Sequence, residues 1–141
     1  MATLQRAIAI ATEAHAGQAD RAGAAYIEHP MRVMGSVASE NARIVAVLHD
    51  VVEDHDEWTF ERLRGEGFAE EVIAALDCVT KREGESYDQF IERSAADELA
   101  REVKIADLED NMDIRRLDQL TDRDLERIAK YHRAWTRLVG K

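Results

Sequence analysis

Cysteine occurs once in this chain, at Cys78, which excludes a scaffold held by intrachain disulfides and fits a reducing compartment. Proline also occurs once, at Pro30, and glycine only seven times in 141 residues, so few positions break a helix. Basic residues are outnumbered, 19 Lys and Arg against 29 Asp and Glu, for a formal net charge of −10. A surface of that sign repels nucleic acid, whose binding depends on clustered basic residues neutralising phosphates; DNA and RNA are therefore not expected partners. No apolar run approaches the roughly 18 residues of a membrane span. Residues 1–6 lead directly into an amphipathic pattern without the apolar core of a signal peptide. The expectation is a soluble cytoplasmic protein with no membrane partner.

What is present is an apolar fraction of 45%, which excludes a disordered chain, and a high charged fraction of 34%. The length is near the modal size of one domain, at which about two thirds of the unfolded surface can be buried. With no internal repeat, linker or low-complexity tract, residues 1–141 are read as a single domain. A small anionic ligand stays compatible with the global charge, provided that a metal or a few converging Lys and Arg supply a local positive field.

Apolar positions recur at helical spacing nearly throughout. Leu4, Ala7, Ile8, Ala11 and Ala14 mark a first helix, followed by a loop over residues 17–28. Pro30 fits the first position of a second helix carrying Met31, Val33, Met34 and Val37. Asn41 can cap a third, in which Ile44, Val45, Val47, Leu48, Val51 and Val52 are apolar on most faces and imply burial. Thr59 can cap a short helix ended by Gly65 and Gly67, and residues 70–80 form the next. Ser86 and Gln89 have the pattern of a capping box. A helix near residues 99–112 and a last one capped by Thr121 complete an all-α bundle of seven or eight helices. Residues 45–52 have strand propensity, yet no segment joins strand alternation to flanking turn signals.

Chemistry concentrates in the third helix, where His49-Asp50-Val51-Val52-Glu53-Asp54 places four ionisable residues in what should be one of the most buried elements. Burying charge without a partner costs several kcal/mol per group, and a divalent cation supplies the compensation. On a continuous helix His49 and Glu53 are four apart, as are Asp50 and Asp54, so one turn could bind a metal while the next handles a proton. His29, before Pro30, and Asp107, a carboxylate in the mostly apolar stretch 103–108, are the candidates to complete the ligand set. Two imidazoles and two carboxylates suit Mn²⁺, Fe²⁺, Zn²⁺ or Mg²⁺. Taken alone, a His-Asp pair is more often an ordinary packed pair than a metal site. Among the other polar residues, His15 is read as packing or capping the first helix, His55 and His132 as surface residues, and Cys78 as a small core filler.

His29, the His49-Asp50 doublet and Asp107 follow the H…HD…D order of the HD metal-dependent phosphohydrolase superfamily, which this chain resembles. A longer set is similar to the successive signatures of RelA/SpoT-type alarmone hydrolases: His15-Ala16-Gly17-Gln18, Tyr26-Ile27-Glu28-His29-Pro30, Leu48-His49-Asp50-Val51-Val52-Glu53-Asp54, Val79-Thr80-Lys81, and Val103-Lys104-Ile105-Ala106-Asp107-Leu108-Glu109-Asp110-Asn111. The resemblance covers nearly the whole chain and implies a single-domain HD-type bundle. Because the chain is too short for the synthetase and regulatory domains of the long members, a stand-alone small hydrolase is expected. The resemblance further implies that His29, His49, Asp50 and Asp107 bind one Mn²⁺, or another divalent metal, and that Glu53 and Asp54 orient and deprotonate the attacking water. The reaction it implies is removal of the 3′-pyrophosphate of (p)ppGpp, leaving GDP or GTP, with a small nucleotide as the partner molecule. Asn111 matches a nucleotide-contacting Asn, and Arg127 and Tyr131 match an Arg and a Tyr on the last helix that contact substrate in small members. Arg21, Lys104 and Arg127 are candidate counter-charges for a polyphosphate, with pairing to a buried carboxylate as the alternative for Lys104.

The loop after the first helix departs from the family pattern. Asp20 and Ala22 stand where long members have Arg and Ser, residues that meet the guanine and its neighbouring phosphate, and Asp20 is expected to repel an anion. Ala25 replaces a frequent Pro. Two alternatives therefore stay open: a phosphatase acting on another phosphorylated nucleotide such as NADPH, and a non-catalytic nucleotide sensor. Homo-oligomerisation through exposed apolar helix faces stays open as well, with no heptad seam to name one.

Overall fold

The computed structural model describes residues 1–140; among them there is no strand, only an isolated bridge between Ala19 and Ala25. Helices α1 (Leu4–Ala14), α2 (Glu28–Gly35) and α3 (Glu40–Leu48) are followed by a single turn, α4 (Val51–Asp54). Then come α5 (Phe60–Glu66), α6 (Glu70–Cys78), α7 (Tyr87–Ala96) and α8 (Glu98–Asn111), a 3₁₀ turn at Ile114–Arg116, and α9 (Asp122–Val139). Setting aside the one-turn α4, eight helices are described, within the expected number.

The cause of each boundary is local. Thr59, Ser86 and Thr121 cap their helices as expected, the last two within reciprocal capping boxes, and Gly67 ends α5 in the left-handed conformation that its missing Cβ allows. Two boundaries differ from the sequence reading. Ser39, not Asn41, caps α3, its hydroxyl accepting from the Ala42 N–H at 3.1 Å. Helix α2 starts at Glu28, so Pro30 is its third residue; the missing N–H is harmless there because the first turn's donors have no partner within the helix.

A larger correction concerns the third helix, which does not run through to Asp54. The His49 ring donates from Nδ1 to the Ala46 carbonyl at 2.5 Å, the same oxygen that the His49 backbone N–H approaches only to 3.5 Å. This side-chain bond competes with the helical ladder and the chain turns at His49-Asp50 before α4 begins. In consequence Glu53 and Asp54 are exposed, whereas a continuous core helix would bury them.

Helix α3 occupies the centre, packed against α1, α2, α6 and α8. Val45, Ala46, Val47 and Leu48 are completely buried, and burying each of the larger ones contributes about 1.5–3 kcal/mol. Phe90, Ile91, Leu108, Ala134 and Leu138 form a second apolar cluster across α7, α8 and α9. Helix α8 serves both clusters, Val103 and Ala106 facing the first and Leu108 the second. Asp107 therefore sits at the seam between them. Among the described residues no helix is long and apolar enough to cross a membrane.

Candidate metal centre

Three elements bring the predicted ligands together. His29 comes from the first turn of α2, His49 and Asp50 from the break after α3, and Asp107 from α8. His29 Nε2 lies 2.9 Å from Asp107 Oδ1 and 3.7 Å from Asp50 Oδ2, and His49 Nε2 lies 3.2 Å from each of those two oxygens. Potential ligand atoms of His29, His49 and Asp50 all fall within 4.8 Å of one another. His29, His49 and Asp107 are buried, and Asp50 is nearly so.

This donor set fits a divalent ion. Each imidazole donates from Nδ1 away from the centre, His29 to Asp110 Oδ2 at 2.6 Å and His49 to the Ala46 carbonyl, so both Nε2 atoms point inward at the carboxylates. Burial works against charge on either ring, but Asp107 and Asp110 around His29, and Asp50 and Asp107 around His49, hold both imidazoles above their ordinary pKa. Burial would raise Asp50, yet His49 brings it down to about 2; Asp107, likewise buried, is held well below the carboxylate range by Lys104 and His49. A cation binding between the two Nε2 atoms would displace any proton held there, as metal binding ordinarily releases protons from its ligands.

Polar neighbours fix the carboxylates. Tyr26 donates its hydroxyl to Asp50 Oδ2 at 2.5 Å, and Lys104 Nζ meets Asp107 Oδ2 at 2.8 Å, so Lys104 pairs with a buried carboxylate instead of facing the open cleft as a free counter-charge. Asn111 donates to Asp107 Oδ1 at 3.1 Å from one turn further along α8. Glu53 and Asp54 lie just beyond Asp50 on α4. Packing around its carboxyl end pushes the Glu53 pKa up, and Asp50 adds to the rise. Asp54 Oδ2 accepts from Gln18 Nε2 at 3.3 Å, while Gln18 Oε1 is met by His15 Nδ1 at 2.9 Å and His55 Nε2 at 3.1 Å. His15 is buried at the end of α1, as expected; His55 is not a plain surface residue, because its ring packs on His15 at 5.0 Å.

Beside this centre opens a cleft of about 350 Å³, within the size range of small-molecule pockets. The loop after α1, the 3₁₀ turn and α9 enclose it, and Arg21, Asn111, Arg127 and Tyr131 all line it. Arg21 is ion-paired with Asp124 at 2.5 Å. Asp20 lines the cleft as well and also shapes its loop: its Oδ1 accepts from the N–H groups of Ala22 and Ala24, both at 2.9 Å.

Gln18, Tyr26, Arg32 and Asp110 join the site although no role was read for them from sequence. Asp110 takes His29 and a two-point ion pair from Arg32, with Nε at 2.8 Å and Nη2 at 3.1 Å. The available signal was spacing, since His29 and Arg32 on α2, and Asp107 and Asp110 on α8, are each three residues apart and share a helix face.

No family model matches the chain. Curated relatives do. The chain is 36% identical over 125 residues to a probable GTP pyrophosphokinase of Mycobacterium leprae, a match taking in 79% of this chain and 16% of that protein. A probable guanosine-3′,5′-bis(diphosphate) 3′-pyrophosphohydrolase of Synechocystis is 34% identical over 140 residues, covering 89% of this chain and 18% of the relative. The guanosine-3′,5′-bis(diphosphate) 3′-pyrophosphohydrolase of Haemophilus influenzae is 33% identical over 136 residues, 86% of this chain and 20% of its own length. The chain thus spans a fifth or less of each of these proteins. With its ligand pattern gathered in one helical fold and most of its length aligned to these enzymes, the chain belongs to the RelA/SpoT family as a relative of one segment of its long members.

Proposed function

We propose that this chain is a divalent-metal-dependent phosphohydrolase, a single HD-type unit of the cytoplasm, that removes the 3′-pyrophosphate of (p)ppGpp and leaves GDP or GTP. The observation that supports it most is the meeting of His29, His49, Asp50 and Asp107 from three elements, with Glu53 and Asp54 beside them. Those four residues would hold the ion, for which the resemblance favours Mn²⁺. When bound, such an ion supplies Lewis acidity, polarising a phosphoryl oxygen and lowering the pKa of water. Glu53, with its raised pKa, is suited to take a proton from the attacking water. Gln18, anchored by His15 and His55, orients Asp54 next to it. Asn111, Arg127, Tyr131 and Arg21 flank the path a nucleotide takes into the cleft.

The relatives carry both kinase and hydrolase names. A proton-accepting carboxylate pair beside an imidazole–carboxylate centre serves attack by water, and this favours hydrolysis. The test is release of pyrophosphate from ppGpp by the purified chain in Mn²⁺, expected to disappear in a folded Asp107→Ala variant. Inactivity across Mn²⁺, Co²⁺ and Fe²⁺ would overturn the proposal, and tight ppGpp binding without turnover would point to a sensor. A second reading, phosphate removal from another ribose-phosphate nucleotide such as NADPH, draws support from Asp20, which lines the cleft where long members of the family have Arg. A substrate panel read by phosphate and pyrophosphate release separates the two.

A further inference from the structure

Two guanidiniums from separate elements meet on one carboxylate oxygen in the cleft. Arg21 Nη2, from the loop between α1 and α2, lies 2.5 Å from Asp124 Oδ1, and Arg127 Nη1, on α9, lies 3.9 Å from the same atom. The Asp124 side chain is 5% exposed, against 47% for Arg21 and 34% for Arg127, so the positive groups face the cleft and the negative one lies beneath them. Asp124 Oδ2 is occupied separately, accepting from the Thr121 N–H and hydroxyl at 3.0 Å each to close the first turn of α9.

That turn does not require a carboxylate. The capping box of α7 has the same design with neutral Gln89 in the corresponding position, and there no arginine is drawn in. The charge at position 124 is therefore in excess of what capping needs, and its second oxygen is paired closely with Arg21 and more loosely with Arg127. An oxygen held between guanidiniums is the environment that a phosphate oxygen takes when bound by arginine. Arg32 and Arg116, the other arginines of the cleft, are already committed to Asp110.

We infer that Asp124 is a specificity-determining residue: it occupies, as an internal anion, the position between Arg21 and Arg127 that the phosphate chain of a nucleotide remote from the cleaved bond would take. Only the identity of that anion as nucleotide phosphate rests on the hydrolase reading. A ligand entering this subsite has to compete with Asp124 for both arginines. Asp124 thereby discriminates against highly charged polyphosphates, and its neutralisation exposes two uncompensated positive charges.

The experiment is calorimetric binding of inorganic tripolyphosphate to the full chain in EDTA, where neither a metal nor turnover contributes. Asp124→Asn keeps an oxygen for the Thr121 cap and is expected to bind about tenfold more tightly than the wild type, with the gain lost at high salt. Arg21→Gln alone is expected to change binding by less than about threefold, because its charge is already met, yet to abolish the gain when combined with Asp124→Asn. Binding by Asp124→Asn no tighter than by the wild type overturns the inference. Should that variant fail to fold by circular dichroism, Asp124→Gln, which copies the α7 box, carries the same test. With ppGpp as substrate, KM should fall in Asp124→Asn with kcat little changed. Absence of any hydrolysis by the wild type would sink the proposed function, while the tripolyphosphate comparison would still decide the role of Asp124.

Discussion

Asp110 accepts from His29 Nδ1 at 2.6 Å while Arg32 grips it from a second direction, so a carboxylate fixes which ring nitrogen points into the centre. Outer partners of this kind typically change metal affinity by about 10–100-fold, and Asp110→Asn is expected to weaken Mn²⁺ binding by that order in calorimetry, with the helical content retained. Unchanged affinity would show that His29 is held by packing alone. At this scale the sequence was informative where charge sat in an apolar context. Asp107 between Ala106 and Leu108, and His49-Asp50 after a run of buried aliphatics, could be picked out because burial without compensation is costly. Tyr26 could not, because it acts on a residue from another element; for Asp110 the three-residue spacing from Asp107 gave a shared helix face but not its partners on α2. The loop role of Asp20 was not legible for a related reason: a side chain's charge is visible in sequence, but its hydrogen bonds to its own loop are not.

Helix ends show how neighbouring elements hold one another. Arg93 of α7 donates to the carbonyls of Asp77 and Thr80 at 2.7 Å each, tying α7 to the end of α6 and the turn after it, and Glu85 holds the same guanidinium at 2.7 and 2.8 Å. Ser94, completely buried, donates to the Cys78 carbonyl at 2.7 Å. The Arg93 hydrogen bond takes Glu85 from an ordinary 4.5 down to about 2. Because folding lowers this pKa, the pair stabilises fully above the unfolded value and its contribution is lost as pH falls from there towards the folded one. Urea denaturation of wild type and Glu85→Gln should therefore give a stability difference that is constant near neutrality and shrinks between about pH 4.5 and 2. A difference that persists at pH 2, or that grows on acidification, would contradict the assignment. Caps at Thr59, Ser86 and Thr121 were legible because the side chain that makes the bond is also the sequence signal. The break at His49 was not, since it depends on a ring bonding to a carbonyl three residues back, an option that periodicity in an apolar run does not reveal.

Across the whole molecule, α8 joins two apolar clusters and carries Asp107 at their seam, while α2 and the end of α3 bring their ligands to it from the larger core. The all-helical architecture was readable from sparse breakers and 3.6-residue periodicity. The cleft was not, because it is enclosed by a loop, a 3₁₀ turn and a long amphipathic helix whose relative placement follows from packing. Within a chain of net charge −10, guanidiniums gather in that cleft, Arg21 paired with Asp124 and Arg32 and Arg116 with Asp110. Where these separate elements meet, one cation is expected to bind. Crystals of the chain grown with saturating Mn²⁺ and measured at the manganese absorption edge test it most directly. A single anomalous peak bonded to His29 Nε2, His49 Nε2, Asp50 and Asp107 is the expected result. A peak elsewhere, or none, would contradict it.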